Sequence, residues 1–364
     1  MTVSKQQAYL NKVGLDAIIA GSPQNVTYTA QFKIPSQGVV VDRLAFSIVT
    51  RKKSYLIVAN MEESTAKKYA KVDEVIAYRE FQEPATDKLA ALISDLGLKK
   101  IAIEKQRISA HDFLTLKERL GAVQWEDSTS LFYQLRTVKE PREIELLTKQ
   151  AQLATRVHTQ IKNMAKIGMS EIELWSEIMK LMILGGAESS VIPCVGFGER
   201  SAFPNAPPTE NRLNKGDVVR IDILFSMRGY NSDIARTYVA QTRTPGQVKM
   251  WNNLVEVHKR LIELISPGKQ AHEVYQAYEQ AFKRLDLPVS DFVGHGLGLE
   301  LHEEPYIGRF HNAVLEPGMV LCIEPFVFLK DCGYHIEDTI LVTEKGGKLL
   351  SSYKEFEDLP IIAL

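Results

Sequence analysis

Hydrophobic positions change their rhythm along the chain. Up to about residue 136, short apolar runs alternate with segments of helical spacing. LDAIIAG (15–21), LAFSIVT (44–50), KSYLIVA (53–59) and KKIAIE (99–104) read as strands. STAKKYAKV and ATDKLAALISDLG, which lie between them, have the spacing of helices. This order predicts an α/β domain with a mixed or parallel sheet. No glycine fingerprint follows the first strand, so a dinucleotide site is not expected there. A break falls in LRTVKEPREIE (135–145), where Pro141 suits the first turn of a helix. The boundary is therefore set between a domain of residues 1–136 and one of 137–364.

Beyond the break, an amphipathic helix is expected to run to about Lys166 and stop at Gly168. Ser170 and Glu173 form a capping-box pattern for the next helix. Two more helices are expected around 245–266 and 271–285, separated by Ser266, Pro267 and Gly268. The rest is β-rich and contains two similar ribbons, VVRIDILFSMRGYNSDIARTYVA (218–240) and MVLCIEPFVFLKDCGYHIEDTILVT (319–343). Each has strand-like runs joined by a Gly-containing turn, with an acid on both strands. In the first ribbon Val219, Ile221, Ile223 and Phe225 line an apolar face, and Asp222 points the other way with Arg220. The turn near Arg228–Gly229 is expected to set Asp222 and Asp233 opposite each other. In the second ribbon Glu324 and Glu337 flank a turn near Asp331–Gly333.

Composition narrows the function classes. Apolar residues make up 45% and charged residues 24%, as in a globular protein with a real core, and the formal net charge is -1. Neither a nucleic-acid surface nor a basic membrane patch is indicated. The three cysteines, Cys194, Cys322 and Cys332, lack a CxxC pairing and suit a reducing cytoplasm. No signal-peptide-like or membrane-spanning apolar run is read in the chain.

Each of the four ribbon acids could be a solvent-facing group on a half-exposed strand. All four sit in apolar strand sequence, however, and an unpaired buried carboxylate costs several kcal/mol or more. Four close carboxylates would protonate unless cations compensated them. Two divalent ions neutralise four carboxylates, a neutral imidazole fills a further position, and a bridging hydroxide would complete such a site. His295, in DFVGHGLGLELHEEP, is the candidate imidazole, and its flanking glycines allow close backbone approach. Oxygen-dominated ligation with one nitrogen favours manganese, cobalt or iron over a structural zinc site.

These segments resemble the pita-bread metallopeptidases, a group that includes Xaa-Pro dipeptidases, Xaa-Pro aminopeptidases and methionine aminopeptidases. DILFSMRGYNSDIART, GHGLGLELHEEP, LEPGMVLCIEPFVF and GYHIEDTILVTEKG are similar, in order and spacing, to the ligand-bearing segments of that family. The first half, with LDAIIAGSPQNVTYTAQF, resembles the creatinase-type domain, which methionine aminopeptidases lack. The resemblance implies a creatinase-like α/β domain followed by an α+β pita-bread catalytic domain. It also implies a dinuclear metallopeptidase that cleaves the bond before proline in short peptides. Asp222 would chelate one ion, Asp233 and Glu337 would bridge the pair, and His295 and Glu324 would complete the second. The ions would be Mn2+ or Co2+, with Fe2+ or Zn2+ as alternatives. Glu324 would also carry the proton from the bridging water to the leaving nitrogen, and His302 would stabilise the tetrahedral intermediate. A homodimer is implied as well, and the cysteines place it in the cytoplasm.

Some readings stay open beside these. His302 could be a loop surface histidine; Thr237, Thr339 and Asp338 could support the ligands, although the two threonines could only pack. Cys194 and Cys322 read as small buried side chains. His111, His158, His258, His272 and His311 show no partner pattern and read as surface or helix residues. Substrate-side positions depart from the family pattern. Asn205 and Asp291 stand where relatives carry histidines, and His335 stands where an arginine is usual. Tyr306 replaces an arginine that grips a dipeptide carboxylate in some dipeptidases, and Arg309 could substitute for it. Asn205, His302, Tyr306 and Arg309 are therefore the candidate substrate contacts. A non-peptide C–N hydrolase of creatinase type and a non-catalytic binding protein are the alternative functions.

Overall fold

A computed structural model describes residues 2–40, 43–351 and 356–363. The chain divides into two compact units, Met1–Arg136 and Thr137–Leu364. In the first unit, helix α1 (Thr2–Val13) precedes β1 (Ala17–Ala20), and α2 (Pro23–Ala30) leads to β2 (Phe46–Thr50) and β3 (Ser54–Ala59). Then follow α3 (Glu63–Tyr69), β4 (Glu74–Tyr78), α4 (Ala85–Asp95), β5 (Lys100–Ile103), α5 (Ala110–Arg119), β6 (Gln124–Asp127) and α6 (Thr129–Thr137). The sheet order is β4-β3-β2-β1-β5-β6. It is mixed: β1 runs parallel to β5 and antiparallel to β2. Ile19, Ile48, Ile57, Leu89, Ile101 and Leu116 are among its fully buried core residues, which explains why the central strands read as unbroken apolar runs.

The second unit repeats one plan twice. Helices α7 (Pro141–Met164) and α8 (Glu171–Leu184) precede β7 (Ser189–Phe197), β8 (Val218–Met227), β9 (Tyr230–Ser232) and β10 (Ala235–Ala240). Helices α9 (Pro245–Leu264) and α10 (Ala271–Arg284) precede β11 (Gly294–Gly296), β12 (Val320–Ile323), β13 (Phe326–Phe328), β14 (Gly333–His335) and β15 (Asp338–Thr343). Strands β16 (Gly346–Leu349) and β17 (Ile361–Ile362) follow. The helix connections correspond closely. Gly168 and Gly268 both take positive φ, which an L side chain resists. Each donates its N–H to a later chain segment, Gly168 to Leu213 O and Gly268 to Leu315 O. Ser170 caps α8 together with Glu173, as its spacing predicts.

The acids do not lie on half-exposed strands. β8 is buried along nearly its whole length, on both faces. Strands β7, β8, β10 and β17 form one sheet, with β9 paired to β8, and β11, β12, β15 and β16 form another. Helices cover both, and the polar side chains of β8 turn inward. No helix among the described residues is long and apolar enough to cross a membrane.

Candidate metal centre

Register decides which acids meet. The two-residue turn Arg228–Gly229, with both φ positive, pairs Met227 with Tyr230 and Phe225 with Ser232. Asp222 is thereby set opposite Ala235, and Asp233 lies diagonally from it in the break between β9 and β10. This corrects the expectation that the two aspartates stand directly opposite each other. In the second ribbon the partners Ile323–Asp338 and Phe326–His335 flank the missing rungs, so Glu324 and Glu337 do face each other. Three of the four acids sit where a ladder is interrupted, and their side chains converge without a rung to hold them apart.

His295 lies at the centre of β11 opposite Cys322. A Cβ on Gly294 would fall 2.3 Å from Cys322 O, and one on Gly296 2.6 Å from Glu304 O. The histidine therefore needs glycine on both sides to reach the acids. Its Nδ1 stands 3.1 Å from Gly296 O. Donation there leaves the Nε2 lone pair facing the carboxylates. Nε2 is 3.2 Å from Glu324 Oε1, 3.5 Å from Asp233 Oδ2 and 3.9 Å from Glu337 Oε1.

Asp222, Asp233, Glu324, Glu337 and His295 are all buried. Burial, and then the charges of their neighbours, push Asp233 and Glu337 well above the usual carboxylate range. Burial likewise raises Asp222. Burial works the same way on Glu324, but His295 and His335 outweigh it and lower its pKa. Asp222 Oδ1, Glu324 Oε1, Glu337 Oε1 and His295 Nε2 have no hydrogen-bond partner. Acceptors converging with no donor between them fit divalent cations. Ligand atoms of Asp233, His295, Cys322 and Glu337 lie within 4.8 Å of one another, as do those of His295, His302 and Glu324 and those of Asp222, His335 and Glu337. Together they make a cluster with room for two ions.

A cavity of about 430 Å³ opens onto the cluster. Asp222, Asp233, Glu324 and Glu337 form its floor, and Phe292, Phe326 and Phe328 contribute apolar walls. Asn205 and His302 also line it. The His302 ring stacks on His295 with centroids 3.7 Å apart. Tyr306 sits one layer back, its ring 6.1 Å from that of His302. Arg309 is not brought to the cavity. Its guanidinium bonds the Tyr275 hydroxyl and pairs with Glu279 at 3.1 Å. Asp291 flanks it at 3.7 Å, so these partners hold Arg309 away from the acids.

Supporting residues were only partly foreseen. Arg236 and Asp338 form a fully buried pair at 2.6 Å. Arg236 also donates to the carbonyls of Ala235 and Glu337, and so fixes the Glu337 backbone. The signal for it was an arginine within an apolar strand run. Asn231 donates to Gly298 O and Leu299 O and anchors the loop that carries His302. Glu171, fully buried, accepts from Phe197 N, Arg200, Thr209 and Asn211 and braces the segment bearing Asn205. Arg220 grips the same segment through the carbonyls of Ser201, Phe203 and Pro204. His158 and His258 are helix residues, but the reading without partners fails for both. Each is fully buried, His158 between the Tyr238 hydroxyl and Ile234 O, and His258 beside Asp338. Cys194 and Cys322 are buried, and none of the three cysteines is in a disulfide.

Sequence models of known families match both parts of the chain. The creatinase/prolidase N-terminal domain matches residues 3–138, and metallopeptidase family M24 matches residues 145–344. A Xaa-Pro dipeptidase of Pyrococcus furiosus is 28% identical over 356 residues, covering 96% of this chain and 97% of that protein. Among solved structures, the prolidase from Pyrococcus horikoshii OT3 superposes with a TM-score of 0.85 at 26% identity, covering 96% of this chain and 98% of that one. A Xaa-Pro dipeptidase from Bacillus anthracis gives 0.87 at 25% identity and covers 99% of each chain. With a creatinase-type domain ahead of a pita-bread domain, and buried acids and a histidine gathered beneath a cavity, the chain belongs to metallopeptidase family M24.

Proposed function

We propose that this metallopeptidase cleaves the peptide bond before proline in short peptides, with Asp222, Asp233, His295, Glu324 and Glu337 holding two divalent ions. The observation that carries the proposal is the convergence of unpartnered acceptor atoms from Asp222, His295, Glu324 and Glu337, with Asp233 beside them, beneath an aromatic-walled cavity. Manganese or cobalt suits the oxygen-rich donors, with iron or zinc as alternatives. When bound, the ions polarise the scissile carbonyl and make water nucleophilic at neutral pH.

The side chains supply the rest. Glu324 Oε1 has no hydrogen-bond partner and takes the proton of the attacking water. It then delivers that proton to the leaving nitrogen. His302, at the cavity wall, donates to the developing oxyanion and is held in place by its stack on His295. Phe292, Phe326 and Phe328 pack the proline ring and exclude water. Asn205 offers an amide N–H to the substrate backbone but no proton. No lysine or arginine is among the described residues lining the cavity, and Arg309 is engaged elsewhere. A free carboxylate beside the scissile bond therefore lacks a bidentate partner, and Xaa-Pro-Yaa peptides are favoured over Xaa-Pro dipeptides.

The test is a panel of Xaa-Pro dipeptides and Xaa-Pro-Yaa tripeptides incubated with protein loaded separately with manganese, cobalt, iron and zinc. Tripeptide cleavage is expected to dominate. Absence of cleavage of every member under all four metals overturns the proposal, and preferred cleavage of dipeptides overturns its substrate clause. A cytoplasmic homodimer belongs to the same reading, since the three cysteines are free thiols and symmetric dimers are the commonest oligomers. Light scattering on the eluted protein tests the dimer, and a monomeric mass rejects it.

A further inference from the structure

The two ribbons bond to each other reciprocally. Thr237 Oγ1 donates to His335 O at 3.0 Å, and Thr339 Oγ1 donates to Asp233 O at 3.4 Å. Asp222 and Glu324 occupy matching places, one opposite Ala235 and the other opposite Glu337. In the first ribbon the residue diagonal to that acid is Asp233. In the second ribbon it is His335, where the family pattern has an arginine. His335 therefore stands where the partner ribbon has a ligand.

Its surroundings match that place. His335 is 4% exposed, and neither ring nitrogen has a hydrogen-bond partner. Nε2 lies 3.6 Å from Glu324 Oε2 and 3.7 Å from Glu337 Oε2. Those distances are too long for hydrogen bonds. They fit two donors of one ion, each about 2.1 Å from it and so at most about 4.2 Å apart. His295 Nε2 shows the same range, 3.2–3.9 Å, toward its own carboxylates. Donor atoms of His335, Asp222 and Glu337 also fall within 4.8 Å of one another.

We propose that His335 is an additional metal ligand, joining Asp222 and Glu337 on one ion while His295 serves the other. The proposal rests on the metallopeptidase reading above and extends it to this chain's own substitution. A neutral imidazole leaves the charge balance of four carboxylates and two divalent ions unchanged. It raises the nitrogen content of the site, which moves the preference from manganese toward cobalt, nickel and zinc.

The experiment strips the protein of metal, titrates it with cobalt by calorimetry, and counts imidazoles by X-ray absorption at the cobalt edge. Wild type is expected to bind two cobalt ions with one imidazole per ion on average. His335→Gln is expected to halve that count. It should also weaken one of the two binding steps at least about a hundredfold, since even outer partners of metal ligands are worth 10–100-fold. His335→Cys should restore a ligand and add a thiolate-to-cobalt charge-transfer band absent from wild type, which keeps the test alive if His335→Gln fails to fold. Two bound ions with a single imidazole between them, or no new band in a folded His335→Cys, overturn the proposal, as an ion-paired imidazolium would. A wild-type protein that takes up no cobalt overturns the underlying reading instead.

Discussion

The two ribbons of the catalytic unit share a scaffold and, on the proposed reading, divide the chemistry between them. The first brings two aspartates together diagonally; the second sets two glutamates face to face, with His335 beside them. Arg236 and Asp338 hold matching places, and the structure pairs them with each other across the ribbons. The helices follow suit: His158 on α7 is buried against the Tyr238 hydroxyl within reach of the Arg236 charge, and His258 on α9 lies 3.6 Å from the Asp338 carboxylate. Duplicated backbone geometry thus fixes where the proposed ligands stand, while side-chain identity sets the proposed split between binding and proton transfer.

The strongest way to break this division is to remove one acid from each ribbon without changing its shape. Glu324→Gln should lower kcat by about 10²–10⁴, the usual worth of a positioned general acid–base, even at saturating metal. Asp222→Asn should mainly raise the metal concentration required, with much of kcat recovered in excess metal. Metal-dependent kinetics of the two variants check this. Equal recovery in both would remove the assigned proton role from Glu324.

The next test concerns the pair that joins the ribbons. Arg236→Met leaves Asp338 buried without its cation, although His258 and Ser351 remain beside it. Breaking a buried pair from one side costs about 3–5 kcal/mol. The double variant Arg236→Met/Asp338→Leu should be less destabilised than the single one, because no uncompensated charge stays inside. Denaturant unfolding of the metal-free proteins measures both, and a double variant worse than the single would show that the pair does more than neutralise itself.

Much of this was legible in the sequence, for definable reasons. Strand runs, the Ser170–Glu173 cap and the acid-bearing ribbons announced themselves through local pattern and short-range spacing. The glycines beside His295 pointed correctly to close packing. The diagonal offset of Asp222 and Asp233 is not legible from a turn located only near Arg228–Gly229, because one residue of turn placement shifts every rung; the Met227–Tyr230 pair fixes it. Arg309 was misplaced because sequence proximity to His302 says nothing of Glu279 and Tyr275 on a distant helix. The burial of His158 and His258 depends on sheets that come much later in the chain.

The buried histidines compare the halves more gently. Burial lowers the pKa of His158 to about 3 and that of His258 to about 4, against 6.5 for an exposed imidazole. In the unfolded chain each gains a proton as pH falls through 6.5, while the folded form resists until about 3 or 4. The unfolded state therefore binds more protons in that window, and stability declines as pH drops through it. Replacing His158 by Gln should flatten this decline in metal-free protein. Unfolding curves at several pH values between 4 and 7 check it; an unchanged slope would place the pH sensitivity elsewhere.

The smallest expected effect tests whether the repeated helix connections are equally well made. Ser170 accepts from Glu173 N at 3.2 Å while Glu173 bonds back to Ser170 N at 2.7 Å. At the matching place the Gln270 backbone N–H donates to the Glu273 carboxylate at 2.9 Å. A glutamine is a poor cap, because its longer chain loses more rotamer freedom in folding back onto its own helix. Ser170→Ala should therefore cost about 1 kcal/mol. Gln270→Ala should cost only a few tenths, since the Glu273 bond to the backbone survives the change. Paired unfolding measurements decide it, and equal losses would mean that the second connection draws as much from its capping side chain as the first.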